Sequence, residues 1–261
     1  MNWRYLTFFV FIMVLVGIVA CQPDPKDAPD DQPPYHFVDF VKHSASCASD
    51  SMRCAAVKIQ YPQYDSLELS LRQKVNTSIR YQLLKLIAGQ IEQEAYSLEE
   101  AAQLFIDDYN EFSSVDFAMP WTLEAFSKVL RSDEHWFVVA IDAYVFTGGA
   151  HPNSFRVILN YDLEQGVLIS LDDVVKDYIA FSSAAEKIFR KVKGIEQSAS
   201  LEQAGYFMED FKLSTQFALT PGGLLLFYNT YEIAPYVVGV TEFEVPYERV
   251  EGLIRDYYLP N

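Results

Sequence analysis

Hydrophobic and polar positions in the first half of the chain predict a hairpin followed by two helices. Two apolar segments, Tyr35 to Ser44 and Cys54 to Tyr64, flank a pair of cysteines as the strands of a hairpin would. An apolar residue then recurs at every fourth position up to about Gly89, which is the spacing of one helix face. These residues are Leu67, Leu71, Val75, Ile79 and Leu83. Ser97 followed by Glu100 has the pattern of a capping box and predicts the start of a second helix.

From Trp121 onward the apolar positions alternate with polar ones, which is the period of a half-buried strand. Trp121 to Leu130 and Trp136 to Phe146 predict an antiparallel pair. Ser154 to Asp162 predicts a third strand, and a turn at Gly166 leads into a short fourth.

The last part of the chain predicts a helix, a hairpin, another strand and a closing helix. Ser170 can cap a helix that extends toward Lys193. The turn Thr220 to Gly223 joins two short strands, Val238 to Pro246 adds another, and Tyr247 to Arg255 predicts the final helix. The residues that the helix after Ser170 is expected to bury are Val174, Val175, Ile179, Ile188 and Phe189.

Runs of strands separated from runs of helices are typical of the α+β class. We therefore expect antiparallel sheets with packed helices, arranged as two small, intimately packed subdomains. Their expected bounds are residues 35–165 and 166–261.

The N-terminus has the layout of a bacterial export signal. Arg4 precedes an apolar run from Leu6 to Val19, and Ala20 and Cys21 close the run, as at a small-residue cleavage site. The end of the run also looks like the lipobox of bacterial lipoproteins, in which the cysteine is acylated. We expect residues 1–20 to be a lipoprotein signal peptide and Cys21 to carry the lipid. The alternative is an uncleaved membrane anchor, because the run is almost long enough to span a bilayer.

The segment that follows, residues 21–34, is rich in proline and aspartate. Proline stiffness and charge repulsion predict an extended tether of about 40 Å. The protein is therefore expected to be extracytoplasmic and anchored to a membrane by its lipid. Gln22 stands where an aspartate would favour the inner membrane, so the outer membrane is expected if the source has two.

Cys47 and Cys54 remain as a single pair once Cys21 is assigned to lipid. In an oxidising compartment they are expected to form a disulfide. A metal site is the alternative, but the spacing lacks the close C-x-x-C of a zinc knuckle.

The formal net charge of −16 argues against a nucleic-acid partner, because phosphates would be repelled. It permits a cationic partner, although many secreted proteins are acidic only for solubility. Nothing in the sequence calls for a cofactor.

The sequence contains no G-x-S-x-G, H-E-x-x-H, P-loop or G-x-G-x-x-G motif, and we expect a non-enzymatic protein. His36, Asp39 and His43 can be drawn together as metal ligands or can lie at a solvated strand end, and we expect no metal. Asp142 shares a predicted strand face with apolar residues. It is either a carboxylate with a raised pKa or a hydrogen-bonded or solvent-facing one.

Two segments are unusual for plain packing. In YVFTGGAHPN, the two glycines allow positive φ and expose backbone N–H groups, so the turn is either a ligand-binding loop or a tight sheet crossover. In YNTYEIAPYVVG, three tyrosines and a glutamate can stack and hydrogen-bond. The candidate ligand-binding residues are Tyr144, Thr147, Gly148, Gly149, His151, Asn153, Tyr231, Glu232 and Tyr236.

At these segments the chain resembles two known domains. "YVFTGGAHPN" with the following "NYDLEQGVLISLDDVV" looks like the N-terminal extracytoplasmic domain of the peptidoglycan deacetylase PdaC. "FALTPGGLLLFYNTYEIAPYVVG" followed by "FEVPY" looks like the C-terminal domain of the lysozyme-sensing anti-sigma factor RsiV. The resemblance covers roughly residues 50 to 250.

The resemblance implies binding of lysozyme, a basic protein, or of cell-wall glycan. Signalling to a sigma factor is not expected, because only Met1 to Tyr5 precede the apolar run. Deacetylation is not expected either, because the chain reaches Asn261 without the metal-binding motifs of that enzyme. The alternatives are a structural envelope component without a specific ligand, or a hydrolase that uses Asp142 and His151.

Overall fold

The computed structural model describes residues 34–50, 52–113 and 119–259. The predicted signal peptide, the lipidation site Cys21 and nearly all of the proline-rich tether lie outside the described residues. Within the described part of the chain, no helix is both long enough and apolar enough to cross a membrane.

The first half of the described chain forms a six-stranded sheet whose strands follow one another in chain order. The strands are β1 (Tyr35–His43), β2 (Ala55–Tyr64), β3 (Trp121–Ser132), β4 (Trp136–Phe146), β5 (Asn153–Asp162) and β6 (Val167–Leu168). The predicted hairpins are present, and the α+β class is confirmed. One pair, β2 and β3, runs parallel, because the two helices α1 (Leu69–Ala88) and α2 (Leu98–Phe112) form the crossover that a parallel pair requires.

The connection between β1 and β2 is closed by a disulfide between Cys47 and Cys54, whose Cα atoms are 4.6 Å apart. The predicted pairing is therefore confirmed. Beyond it, the two strands pair from His43 opposite Ala56 to Tyr35 opposite Tyr64.

The two crossover helices cover one face of the sheet. Val75, Ile79, Leu83 and Ile87 form the buried stripe of α1, as the four-residue period predicts. They pack against inward-facing strand residues, which include Val57, Ile59, Leu123, Phe137, Val139 and Ile141.

The second half of the described chain covers part of the opposite face. It consists of α3 (Leu171–Val174), α4 (Tyr178–Lys193) and a three-stranded sheet of β7 (Gln216–Leu219), β8 (Gly223–Tyr228) and β9 (Thr241–Pro246). Trp136, Val138 and Ala140 of β4 are buried in the core that this half forms. Asp142 and Tyr144, further along the same face of β4, are exposed.

The single helix predicted between Ser170 and Lys193 is two helices in the structure. Val175 is extended and bridges Ile254, and Asp177 caps a new helix by accepting the N–H of Ala180. Because α4 begins anew after Asp177, its faces do not continue those of α3. Ile179 is 83% exposed, and the prediction that it is buried was wrong.

The prediction of a final helix from Tyr247 to Arg255 was also wrong. Residues Tyr247–Arg249 form one 3₁₀ turn, and a further turn at residues 251–253 leads to Ile254, which bridges Val175. The strand predicted from Val238 begins at Thr241, because Tyr236–Val238 form a 3₁₀ turn.

Side-chain amides join the two sheets along the free edge of β5. The N–H of Arg156 donates to Oδ1 of Asn229 (2.6 Å), and Nδ2 of Asn229 donates to the carbonyl of Arg156 (3.1 Å). The N–H of Ile158 donates to Oε1 of Gln216 (2.7 Å).

Asn160 makes the reverse connection from β5 to β7. Its Nδ2 donates to the carbonyl of Phe217 (2.7 Å), and its Oδ1 accepts the N–H of Leu219 (2.8 Å). Its side chain is buried, so these bonds replace a backbone ladder between the two sheets.

We expect Asn160→Ala to lower the free energy of unfolding by about 3 kcal/mol, because two buried backbone groups lose their partners. Urea unfolding followed by circular dichroism measures the change. Asn110→Ala, at an exposed position of α2, is the matched control and should change stability by less than about 0.5 kcal/mol. Equal effects at the two positions would show that the hydrogen bonds of the Asn160 amide contribute little to stability.

Candidate functional site

The two unusual sequence segments meet in the structure. The first segment connects β4 to β5, and the second connects β8 to β9. The ring of His151 lies 6.2 Å from that of Tyr236, and the ring of Tyr236 lies 5.5 Å from that of Tyr231. The structure thus places three of the predicted site residues in one continuous row of rings.

The first segment is the β4–β5 hairpin turn. Gly148 has φ +83°, and a Cβ at this position would lie 3.5 Å from Nε1 of Trp121. Gly149 does not have positive φ, so only one of the two glycines is required by the backbone. The candidates Thr147, His151 and Asn153 are exposed.

The second segment is held by its middle and exposes its two ends. Ile233 is 7% exposed, and its carbonyl accepts the N–H of Phe207 (2.8 Å). Tyr231 has φ +68° and is the one residue other than glycine with positive φ in the described ranges. Its ring and that of Tyr236 are both exposed.

Glu232 has a local role in this loop. Its carboxylate accepts the N–H of Asn229 (2.8 Å), and Asn229 is the residue whose amide binds the edge of β5. The loop is therefore fixed to the first sheet through one asparagine and one glutamate.

Exposed aliphatic residues follow Tyr236 in the chain, and the candidate residues predicted from the sequence do not include them. Val237 is 90% exposed, Val240 50% and Val238 42%. The sequence signal is the apolar run around Gly239, which has φ +71°. The predicted strand Val238 to Pro246 includes part of this run, and a strand there would bury alternate residues.

A cleft of about 420 Å³ lies beside the loops, where the uncovered part of the first sheet meets β8 and β9. Tyr144 lies in this cleft rather than in the row of rings. The main side chains that line it are Glu124, Phe126, Asp142, Tyr144, Arg156 and Glu242.

Asp142 is paired with Arg156 in this cleft. Nε and Nη2 of Arg156 donate to the two carboxylate oxygens at 2.6 and 3.0 Å, and these bonds raise the pKa of Arg156. The guanidinium also lies 4.8 Å from the ring centroid of Phe227. His151 instead contacts Tyr236 and its neighbouring backbone oxygen at Pro152 (3.0 Å).

The three N-terminal candidates for metal binding have other partners. His36 contacts Asp65 (2.6 Å), and Asp39 accepts a hydrogen bond from Gln60 (2.9 Å). Nδ1 of His43 contacts the carbonyl of Ser44 (3.3 Å). Within the described ranges, no group of three or more His, Cys, Asp or Glu residues is placed to hold a metal ion.

Two family models match the chain. Residues 48–154 match the model described as deacetylase PdaC, and residues 172–248 match DUF3298, a protein family of unknown function. The two matched regions do not overlap, and the PdaC-like region precedes the DUF3298-like one.

A curated relative matches about half of the chain. It is the peptidoglycan-N-acetylmuramic acid deacetylase PdaC of Bacillus subtilis (strain 168), which is 23% identical over 136 residues. The match covers 51% of this chain but 29% of the relative. The chain therefore spans less than a third of that enzyme's length.

Solved structures share the fold over most of the chain. A DUF3298 family protein from Pseudomonas aeruginosa PAO1 has a TM-score of 0.70 at 24% identity, with 89% of this chain and 99% of that chain covered. A DUF3298 family member from Bacteroides fragilis NCTC 9343 has a TM-score of 0.67 at 19% identity, with coverages of 85% and 93%.

The two glycines of the hairpin turn differ in a way that can be measured. We expect Gly148→Ala to lower the free energy of unfolding by about 1 to 2 kcal/mol, because an L-residue at φ +83° is strained. Gly149→Ala should change it by less than about 0.5 kcal/mol. Thermal unfolding of the two variants provides the comparison, and a larger loss at Gly149 would contradict the backbone argument.

Proposed function

We propose that this protein is a non-enzymatic, lipid-anchored component of the bacterial cell envelope that binds a basic protein of the lysozyme class. The binding surface is the row formed by His151, Tyr231 and Tyr236. The observation that carries the proposal is the meeting of two distant sequence segments in one exposed aromatic row. The domain pair, with its peptidoglycan deacetylase relative, supports a place in the cell envelope.

The chemistry of this surface suits a protein partner. Aromatic rings supply large contact areas with little rotamer entropy to lose, and such residues dominate binding energy at interfaces. The neighbouring valines 237, 238 and 240 add exposed apolar area. A contiguous exposed apolar patch on a soluble domain is a common mark of an interaction site.

The backbone of the loop supports the same proposal. Tyr231 is held at φ +68°, a conformation that costs a non-glycine residue roughly 1 to 2 kcal/mol. Backbone strain of this kind is concentrated at binding sites, where it fixes a side chain in its bound position.

The charge of the protein supports a basic partner. A net charge of −16 attracts a cationic protein and speeds its association, most strongly at low salt. The same charge opposes anionic ligands.

We expect the full chain in nonionic detergent to bind hen lysozyme in calorimetry, with an affinity that falls as salt is raised. Replacing Tyr231 and Tyr236 together by alanine should weaken binding at least tenfold. Tyr96→Ala is the matched control, because Tyr96 is 81% exposed in another part of the structure, and it should leave the affinity unchanged.

Absence of lysozyme binding at both low and moderate salt would overturn the proposal that the partner is a protein of the lysozyme class. Binding of chitotriose instead would move the proposal to cell-wall glycan.

Lipid anchoring at Cys21 predicts a specific mass. The chain extracted from membranes should lack residues 1–20 and carry acyl groups on Cys21, since stable anchoring takes more than one chain. Cys21→Ser should prevent acylation, as intact-mass spectrometry would show. Unmodified Cys21 within an intact N-terminus would instead support the uncleaved anchor.

A further inference from the structure

The cleft beside the loops is built from facing residues on three strands. Phe126 of β3, Asp142 of β4 and Arg156 of β5 lie opposite one another in register. Glu124 and Tyr144 occupy the next same-face positions along β3 and β4, where they are also paired. These side chains share one face because residues two apart on a strand point the same way.

The second sheet provides the other wall of the cleft. Glu242 of β9 lies 3.9 Å from Nη1 of Arg156, and Phe227 of β8 packs against the same guanidinium. The cleft therefore exists only because the second sheet stops short of Asp142 and Tyr144.

Charge is unbalanced in this cleft. Among the described residues that line it, three carry carboxylates and one carries a cation. That cation, Arg156, is committed to Asp142 by two hydrogen bonds. Lys58 pairs with Glu124 at 3.0 Å; both side chains are partly accessible to solvent, and such a pair contributes little to stability. Glu124 and Glu242 each meet one cation through a single carboxylate oxygen, Lys58 at 3.0 Å and Arg156 at 3.9 Å. The second oxygen of each carboxylate can accept from a further cation.

Aromatic rings complete the chemistry of a cation site. Phe126 is 46% exposed and Tyr144 is 38% exposed, although both are large rings that a sheet face would ordinarily cover. The face of such a ring attracts an ammonium or guanidinium group, and its edges accept the alkyl stem of a long side chain. A free anion meets neither complementary charge nor an uncommitted cation here.

We propose that this cleft takes one lysine or arginine side chain of the basic partner, held between Phe126 and Tyr144 and paired with Glu124 and Glu242. The proposal rests on the proposed function for the nature of the partner. It adds a second subsite, beside the aromatic row, that selects for positive charge.

The first test uses a small probe, N-acetyl-arginine methylamide, titrated into the full ¹⁵N-labelled chain in nonionic detergent and followed by NMR. Shifts should be concentrated at the cleft residues, with saturation in the millimolar range. The neutral analogue N-acetyl-citrulline methylamide has nearly the same shape and should bind at least fivefold more weakly. Equal binding of the two probes, or no shift at the cleft, would overturn the proposal.

Variants separate the cleft from the overall charge. The double substitution Glu124→Gln and Glu242→Gln should weaken probe binding at least fivefold. The control double substitution Glu202→Gln and Glu209→Gln removes the same amount of charge at exposed positions outside the cleft and should leave binding unchanged. An equal loss in both proteins would show long-range attraction only, and would reject the subsite.

Lysozyme binding distinguishes failure of this proposal from failure of the proposed function. Loss of binding on changing Tyr231 and Tyr236, with no change on substituting Glu124 and Glu242, would keep the function and reject the subsite. Probe binding at the cleft without lysozyme binding would keep the cation subsite and reject the proposed lysozyme partner.

Discussion

The structure depends on how the open edge of β5 is satisfied. A strand edge presents N–H and C=O groups that are costly to bury without partners. Here Asn229, Gln216 and Asn160 use side-chain amides to bridge β5 and the second sheet. An amide both donates and accepts, so one side chain can satisfy two backbone groups without continuing the ladder. The second sheet is thereby joined to the first without extending it.

This joint determines which part of the first sheet stays uncovered. The second half of the described chain buries Trp136, Val138 and Ala140 of β4 and leaves Asp142 and Tyr144 open. The same Asn229 lies at the base of the β8–β9 loop, where Glu232 accepts its N–H. One asparagine therefore links the sheet joint, the cleft and the row of rings.

Much of the first half was predictable from local patterns, and the reasons are physical. The four-residue period of α1 and the alternation in β4 reflect burial on one face, which acts on every residue of the element. The pairing of Cys47 with Cys54 was predictable because no other pair remained once Cys21 was assigned to lipid. In the second half, the pattern after Ser170 failed at Val175, because a bridge to the distant Ile254 outweighed local helix propensity.

By itself, the sequence determined the class of the fold, most of its elements and the two segments that stand out as candidate binding loops. Backbone propensity and hydrophobic period are local properties, so they can be recognised in the sequence. Only the tertiary structure decided that His151 and Tyr236 meet, that Asp142 pairs with Arg156, and that the valines after Tyr236 are exposed. Those outcomes depend on where the second sheet stops on the first, and that position is set by contacts between residues more than fifty positions apart.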